Sequence, residues 1–363
     1  NFYDAILIEP MSIFGSGRYL KKLREYLGFV YHGHVYFSLI AVVVLLMGAA
    51  VSHVTDSAIV GTALLGVAVA TPMMLSRWLT RQPLYIRSQP NRSAMGGALY
   101  LVLSIAAIFL VEVAGLLNPF TAMFTIGMAS LAASTFLTLA FIKPTLRLQR
   151  DDDLNWRGLT REHWGYARWS ILSRAMNWIS VNIYYVLLPI LLGLSGSAAL
   201  RALVNFSMPM SMAIGAVLTL LLPMFVRAYE NEGKAALTGK VRMAMTLLVG
   251  VSLLYILALA LFGQTGASLL YRGQFDEFAT FWVMVTLGLS PLAASVNVVL
   301  DAALRAMGQV RLAFFAQVAS ATVTLTLGIV LMATLGLLGV NIAIGLSSAS
   351  AGVVQWWFYR KQK

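Results

Sequence analysis

The stretch Val30–Val51, VYHGHVYFSLIAVVVLLMGAAV, carries no Asp, Glu, Lys or Arg. At 1.5 Å rise per residue, about 20 apolar residues cross the ~30 Å hydrocarbon core of a bilayer as one helix. It lacks the strict alternation of a membrane β-barrel strand, whose period-two segments run about ten residues. Stretches of the same kind run from Ala58 to Leu79, Ala94 to Leu116, Phe120 to Ile142, Gly165 to Leu192, Ala199 to Val226, Val241 to Phe262, Phe278 to Leu300, Leu312 to Ala333 and Leu338 to Phe358. Composition agrees. With 59% hydrophobic and 11% charged residues, and a mean hydropathy of +0.80, the chain has too little polar surface to solvate a water-soluble fold of this length.

The cations orient these spans, because Lys and Arg in short loops are retained on the cytoplasmic side. Of the 26 Lys and Arg, all but Arg174, Arg201 and Arg272 fall on alternate connections between spans. Both chain ends and the central connection are therefore expected in the cytoplasm of a multi-pass inner-membrane protein. Topology accounts for the net charge of +12, so no nucleic-acid partner is inferred, and membrane lipid with anionic headgroups is the ordinary partner of such loops.

The chain also repeats itself at an offset of about 213 to 219 residues. Pro10-Met11 meets Pro223-Met224, Thr71-Pro72 meets Ser290-Pro291, Arg87 and Arg92 meet Arg305 and Arg311, and Ile126-Gly127 meets Ile344-Gly345. This is the trace of a duplicated membrane bundle, an architecture typical of transporters. The expected fold is all-α: two six-helix bundles related by a pseudo-two-fold along the membrane normal. By the repeat, the counterparts of about 165 to 226 fall mostly before Asn1, so the first bundle is expected to lack its first helix and most of its second. The predicted divisions are an incomplete N-terminal lobe at 1–143, with four full spans and a remnant, a cytoplasmic linker at 144–164, and a C-terminal lobe of six spans at 165–363.

Three segments carry a family resemblance: Glu162-His163-Trp164-Gly165-Tyr166-Ala167-Arg168-Trp169; Ala202-Leu203-Val204-Asn205 leading to Leu222-Pro223-Met224; and Leu304-Arg305-Ala306-Met307-Gly308-Gln309 before Leu338-Gly339-Val340-Asn341. The chain resembles the lipopolysaccharide and oligosaccharide flippases of the multidrug, oligosaccharidyl-lipid and polysaccharide exporter superfamily. The resemblance implies alternating access between two lobes, moving an undecaprenyl-pyrophosphate-linked oligosaccharide, a polysaccharide or O-antigen precursor, to the outer leaflet. It implies no enzyme activity and no cofactor beyond a coupling ion, Na+ or H+. A polysaccharide polymerase or glycosyltransferases are the implied protein partners. Two other readings remain open: a sodium- or proton-coupled exporter of small cationic compounds, and a membrane subunit of a polysaccharide synthase.

An anionic pyrophosphate crossing hydrocarbon calls for cations inside the bundle and for amide or aromatic contacts with the sugar. Arg174 stands about nine residues into its span, where an intramembrane Arg is costly enough to suggest function. At 100° per residue, Tyr166, Ser170, Ser173, Asn177 and Tyr184 fall within about 100° of the same side. Arg174 either meets the anionic group, or snorkels or pairs structurally with an acid. Arg201 and Asn205, four apart, share a face near the outer end of the next span, and an interfacial Arg at a helix start competes with a binding role. Asn297 and Asp301 also share a face, but Arg305, four residues on, suits a helix-surface salt bridge with Asp301. Arg77 and Arg81 could mark a cytoplasmic vestibule, though topology alone accounts for both. The substrate-path candidates are Arg174, Asn177, Ser170, Tyr184, Arg201, Asn205, Arg77 and Asn297.

Weaker signals lead elsewhere. His32-Gly33-His34 lacks the Cys or clustered acids of a metal site, and Asp151-Asp152-Asp153 reads as a solvated acid run. Phe14-Gly15-Ser16-Gly17-Arg18 is too short for a dinucleotide loop. No nucleophile, base and orienter occur together, and no cysteine is present. Pro10, Pro72, Pro189, Pro209, Pro223 and Pro291 lie in or at the ends of spans, where each removes a backbone donor and favours a bend.

Overall fold

The computed structural model describes residues 2–55, 57–145 and 155–362; the Asp151-Asp152-Asp153 run lies outside them. Among the described residues the regular structure is helical throughout. A π-helical turn Asp4–Ile8 leads into α1 (Glu9–Ser16), followed by α2 (Leu23–Val54), α3 (Ala58–Ile86), α4 (Pro90–Val113) and α5 (Pro119–Leu137), which a second π-helical turn, Thr138–Ile142, extends. Beyond the central connection come α6 (Trp156–Val204), α7 (Met208–Tyr271), α8 (Phe281–Leu287), α9 (Leu289–Ala306), α10 (Val310–Val323), a π-helical Thr324–Gly328, and α11 (Ile329–Lys361).

Local chemistry sets several of these ends. Asn118 caps α5, accepting from the backbone N–H groups of Phe120 and Thr121, while the Thr121 hydroxyl accepts from the Asn118 N–H. Pro119 then occupies the first turn, where no intrahelical donor is needed. The longest element, α7, has 64 residues, or about 96 Å if straight, three times the hydrocarbon thickness. It does not run straight. Gly233 sits at φ 79° inside it, and Gly336 at φ 58° does the same in α11. Side chains other than glycine rarely adopt these backbone angles, so each glycine breaks one continuous helical run into two segments, at Gly233 within the charged stretch 227–242.

Among the described residues, seven helical segments are long and apolar enough to span a membrane, including Met208–Tyr271 and the continuous run Val310–Lys361. One expectation needs correction. The span read as Ala199 to Val226 is broken, because α6 ends at Val204 and Asn205–Ser207 form a turn held by Phe206 N–H to Leu203 O (2.9 Å) and Ser207 N–H to Val204 O (2.9 Å). Pro209 follows directly; its ring would clash with the Asn205 carbonyl in a continuous helix, so the turn is the relaxed solution.

The chain divides into two compact units, 1–167 and 168–363. Within the first, α3 packs against α5 and α2, and α4 against α5; within the second, α9 packs against α7 and α11, and α10 against α11. Two close approaches recur at repeat-related positions. A Cβ on Gly127 of α5 would stand 3.0 Å from the Ala70 Cα of α3, and one on Gly345 of α11 would stand 3.1 Å from the Leu289 Cβ of α9. Ala70 and Leu289 each lie two residues before the repeated prolines Pro72 and Pro291. Without water, helix association rests on such close packing of small residues. Gly127→Ala should therefore destabilise by about 1–2 kcal/mol through overpacking. Gly97→Ala, where nothing lies within 4 Å, should instead stabilise α4 by about 0.5–1 kcal/mol. Thermal unfolding in detergent reads both, and shifts of the same sign would contradict the contact.

Candidate functional site

In the second unit, α9 presents Asn297, Asp301 and Arg305 at four-residue spacing on one face. Arg305 is only 7% exposed. Its Nε donates to the Asp301 carboxylate, Nη1 to Ser170 Oγ (3.2 Å) and Nη2 to Ser173 Oγ (3.2 Å). Gln355 of α11 donates through Nε2 to Asp301 Oδ1 (3.2 Å), and Gln317 of α10 donates to Asn297 Oδ1 (3.3 Å). One polar face thus ties together α6, α9, α10 and α11. The expected pairing of Asp301 with Arg305 forms, but not on a helix surface, because the α9 face that carries it turns inward onto α6 and α11. A buried ion pair persists when further hydrogen bonds satisfy its remaining donors and acceptors, and the two serines and Gln355 do this here.

The candidates on α6 separate along the helix. Ser170 and Ser173 are buried against Arg305, and Tyr184 is fully buried with its hydroxyl directed at Gly328. Arg174 is half-buried and Asn177 is exposed. Seven residues turn a helix through about 700°, so Ser170 and Asn177 lie within about 20° of each other in projection. The same face is packed at Ser170 and open two turns later, and Arg174 stands at the transition.

The remaining candidates occupy other surroundings. Arg201 is exposed, its guanidinium 5.9 Å from the centroid of the Tyr185 ring. Asn205 lies in the turn after α6, where Nδ2 donates to the Tyr271 hydroxyl (3.0 Å), which donates in turn to Ala202 O (2.8 Å). Asn297 is buried and engages Gln317 and, at 3.5 Å, Ser348. Arg77 is half-buried in the first unit, stacked 3.8 Å from the centroid of the Tyr100 ring. The structure sets Ser170 and Asn297 against the same polar face of α9, in two separate hydrogen-bonded groups, and leaves Arg77, Arg201 and Asn205 with aromatic partners.

A second polar cluster, in the first unit, was not read from the sequence as a set of contacts. The Tyr166 hydroxyl donates to the buried Glu9 carboxylate. Tyr26 OH and His163 Nε2 lie 2.7 Å apart, Tyr19 OH donates to Glu162 Oε2 (2.8 Å), and Gln82 Nε2 donates to Ser12 Oγ (2.6 Å). His163 precedes the apolar span of α6, packed among Phe14, Tyr26 and Phe29. Burial pushes its pKa down to about 4, so it is neutral near neutral pH. The spacing of Glu162, His163 and Tyr166 on one helix was the available signal; their partners on α1 and α2 are more than a hundred residues away in sequence. Beside them lies a cavity of about 390 Å³ lined by Arg18, Tyr19, Asn155, Gly158, Leu159, Arg161 and Glu162. Among the described residues no group of three His, Asp or Glu side chains is placed to hold a metal.

The family model described as Lipid II flippase MurJ matches residues 100–363. The chain belongs to the lipid II flippase family. This keeps the superfamily that the sequence resembles and points within it to lipid II flippases. Solved structures agree on the fold. A MATE protein in a bent conformation superposes with a TM-score of 0.85 at 14% identity, over 99% of this chain and 83% of its own. A MOP superfamily transporter from Pyrococcus furiosus gives 0.84 at 14%, and a mutant of the Vibrio cholerae MATE transporter VcmN gives 0.83 at 17%, both with the same coverages. No curated protein matches the chain.

For a member of this flippase family, the distribution of charge in the second unit matters. Arg305 is matched by Asp301, so the buried network is close to neutral and acts as a clamp. Through Ser170 and Ser173 it fixes the turn of α6 from which Arg174 projects.

Proposed function

We propose that the chain moves a lipid-linked saccharide bearing an anionic pyrophosphate from the cytoplasmic to the outer leaflet of a bacterial inner membrane, by alternating access of its two lobes. Membership of the lipid II flippase family across residues 100–363 carries this reading. It favours lipid II itself, with a polysaccharide or O-antigen precursor as the second substrate class. Arg174, with Asn177 beside it, is the proposed contact for the anionic group; Ser170 serves by anchoring the helix. Both chain ends and the central connection face the cytoplasm in this reading, and a Na+ or H+ gradient is a fitting coupling source.

Export of small cations, the rival reading, calls for a carboxylate free to take a cation. Asp301 is held by Arg305 and Gln355, and Glu9 accepts from Tyr166, which weighs against it. The test is rescue of growth by the complete gene product in a strain depleted of its lipid II flippase, beside rescue of surface glycan in a strain lacking its O-antigen flippase. Rescue of the first strain is expected. Failure in both at normal membrane abundance, together with efflux of a cationic dye, would sink the proposal in favour of its rival.

A further inference from the structure

At the end of the π-helical turn Thr138–Ile142, three guanidinium groups converge on three successive residues. Arg87, just past α3, donates from Nη1 to Phe141 O (2.9 Å) and from Nη2 to Ile142 O (3.5 Å). Arg24 of α2 donates from Nε to Lys143 O (2.9 Å), and the N–H of Thr145 returns a bond to Arg24 O (3.0 Å). Arg92 of α4 lies 4.9 Å from the centroid of the Phe141 ring and donates from Nη1 to Gln89 Oε1 (2.9 Å). Lys143 itself is exposed. Four cations from separate parts of the first unit thus meet at one helix end.

That end offers only about half a negative charge through its unsatisfied carbonyl groups. Among the described residues no carboxylate forms an ion pair with Arg24, Arg87 or Arg92. Arg87 is held below its ordinary pKa by partial burial first, and then by the charges of Arg24 and Arg92, so these groups are close enough to repel. Charges gathered this way, with no counter-charge among the described residues, lower their energy most by taking an anion. The donors for one are available. Neither Nη group of Arg24 is bonded among the described residues, nor are Nε and Nη2 of Arg92, and a guanidinium fork matches the oxygens of a phosphate in a way an ammonium does not. Exposed apolar side chains of α4, including Leu101, Val102 and Ile105, lie further along the helix that bears Arg92, where acyl chains would run.

We propose that Arg24, Arg87, Arg92 and Lys143 form a binding site for the phosphate headgroup of an anionic membrane lipid. This site does not depend on the transport reading. It closes the first unit by bridging α2, the end of α3, α4 and the end of α5 with a ligand that the membrane itself supplies.

The experiment titrates phosphatidylglycerol into phosphatidylcholine nanodiscs holding the complete gene product and follows its thermal unfolding midpoint. The wild type should gain stability with a saturable midpoint in lipid fraction. Among the described residues the Arg92 guanidinium engages Gln89 and the Phe141 ring, and Arg92→Gln should unfold like the wild type in phosphatidylcholine alone. It should raise the half-saturating fraction about fivefold, the equivalent of about 1 kcal/mol per Arg at an anionic leaflet. Arg24→Lys should give a smaller shift, because charge survives and the fork is lost. Arg360→Gln, at the basic end of α11 in the other unit, should leave the titration unchanged. Equal titrations for wild type and Arg92→Gln would overturn the site. The same stabilisation by inorganic phosphate in phosphatidylcholine would overturn the lipid as its source and leave a free-anion site.

Discussion

Arg305→Leu should cost about 2–4 kcal/mol of stability and deplete the folded protein in the membrane. Removing one partner of a buried ion pair strands the other, which costs about 3–5 kcal/mol when burial is complete. The Asp301 side chain keeps 21% exposure, so part of that penalty is relieved by solvent and the lower range applies. Two hydroxyls on α6 lose their donor as well, and the link from α9 to α6 goes with them. For comparison, Ser170→Ala removes one hydrogen bond from the same network and should cost about 0.5–1.5 kcal/mol. The double variant Asp301→Leu with Arg305→Leu removes both charges together and should recover much of the loss. Thermal unfolding of the wild type, the single variants Asp301→Leu and Arg305→Leu, and the double variant gives the coupling energy. If Arg305→Leu unfolds like the wild type, or if the double variant is additive, the network does not clamp α6.

That network shows where reading the sequence succeeded and where it stopped. Apolar length located the membrane helices because in lipid every backbone group must be satisfied within its own segment, so the span is written locally. Arg305 is different. Spacing along α9 finds Asp301 four residues away and appears to complete the account, while Ser170 and Ser173 lie 135 and 132 residues distant in sequence. Helical projection sees partners on the same helix only. Gln317 and Gln355 escaped notice for a related reason, since a neutral amide on a greasy helix gives little signal until the facing helix is known. The break at Asn205 follows from Pro209, which the sequence marks as a bend, but the hydropathy runs on across it, so the bend did not divide the span read there. In the first unit Glu9 and Tyr166 meet over 157 residues, beyond any local rule.

Arg174→Ala should lower transport by about one to two orders of magnitude at unchanged membrane abundance. Hydrogen bonds to charged groups contribute about 1.5–3 kcal/mol, more where water is excluded, and that range sets the scale. The structure gives the residue a fixed base, because Ser173 immediately before it and Ser170 one turn earlier are bonded to Arg305. It also gives it an opening, because Asn177 one turn later is exposed. Arg174→Lys keeps the charge and loses the planar fork, so transport should fall less than in the alanine variant. Arg305→Leu, by contrast, should act first on abundance, and any transport left should scale with the protein that remains. Measuring transport of the lipid-linked saccharide together with membrane abundance in the three variants separates a residue that meets the anion from one that holds the bundle. Reduced abundance with normal transport per molecule in Arg174→Ala would make this Arg structural. Wild-type transport by Arg174→Ala would remove it from the path, and the anionic headgroup would then have to be met by another cation.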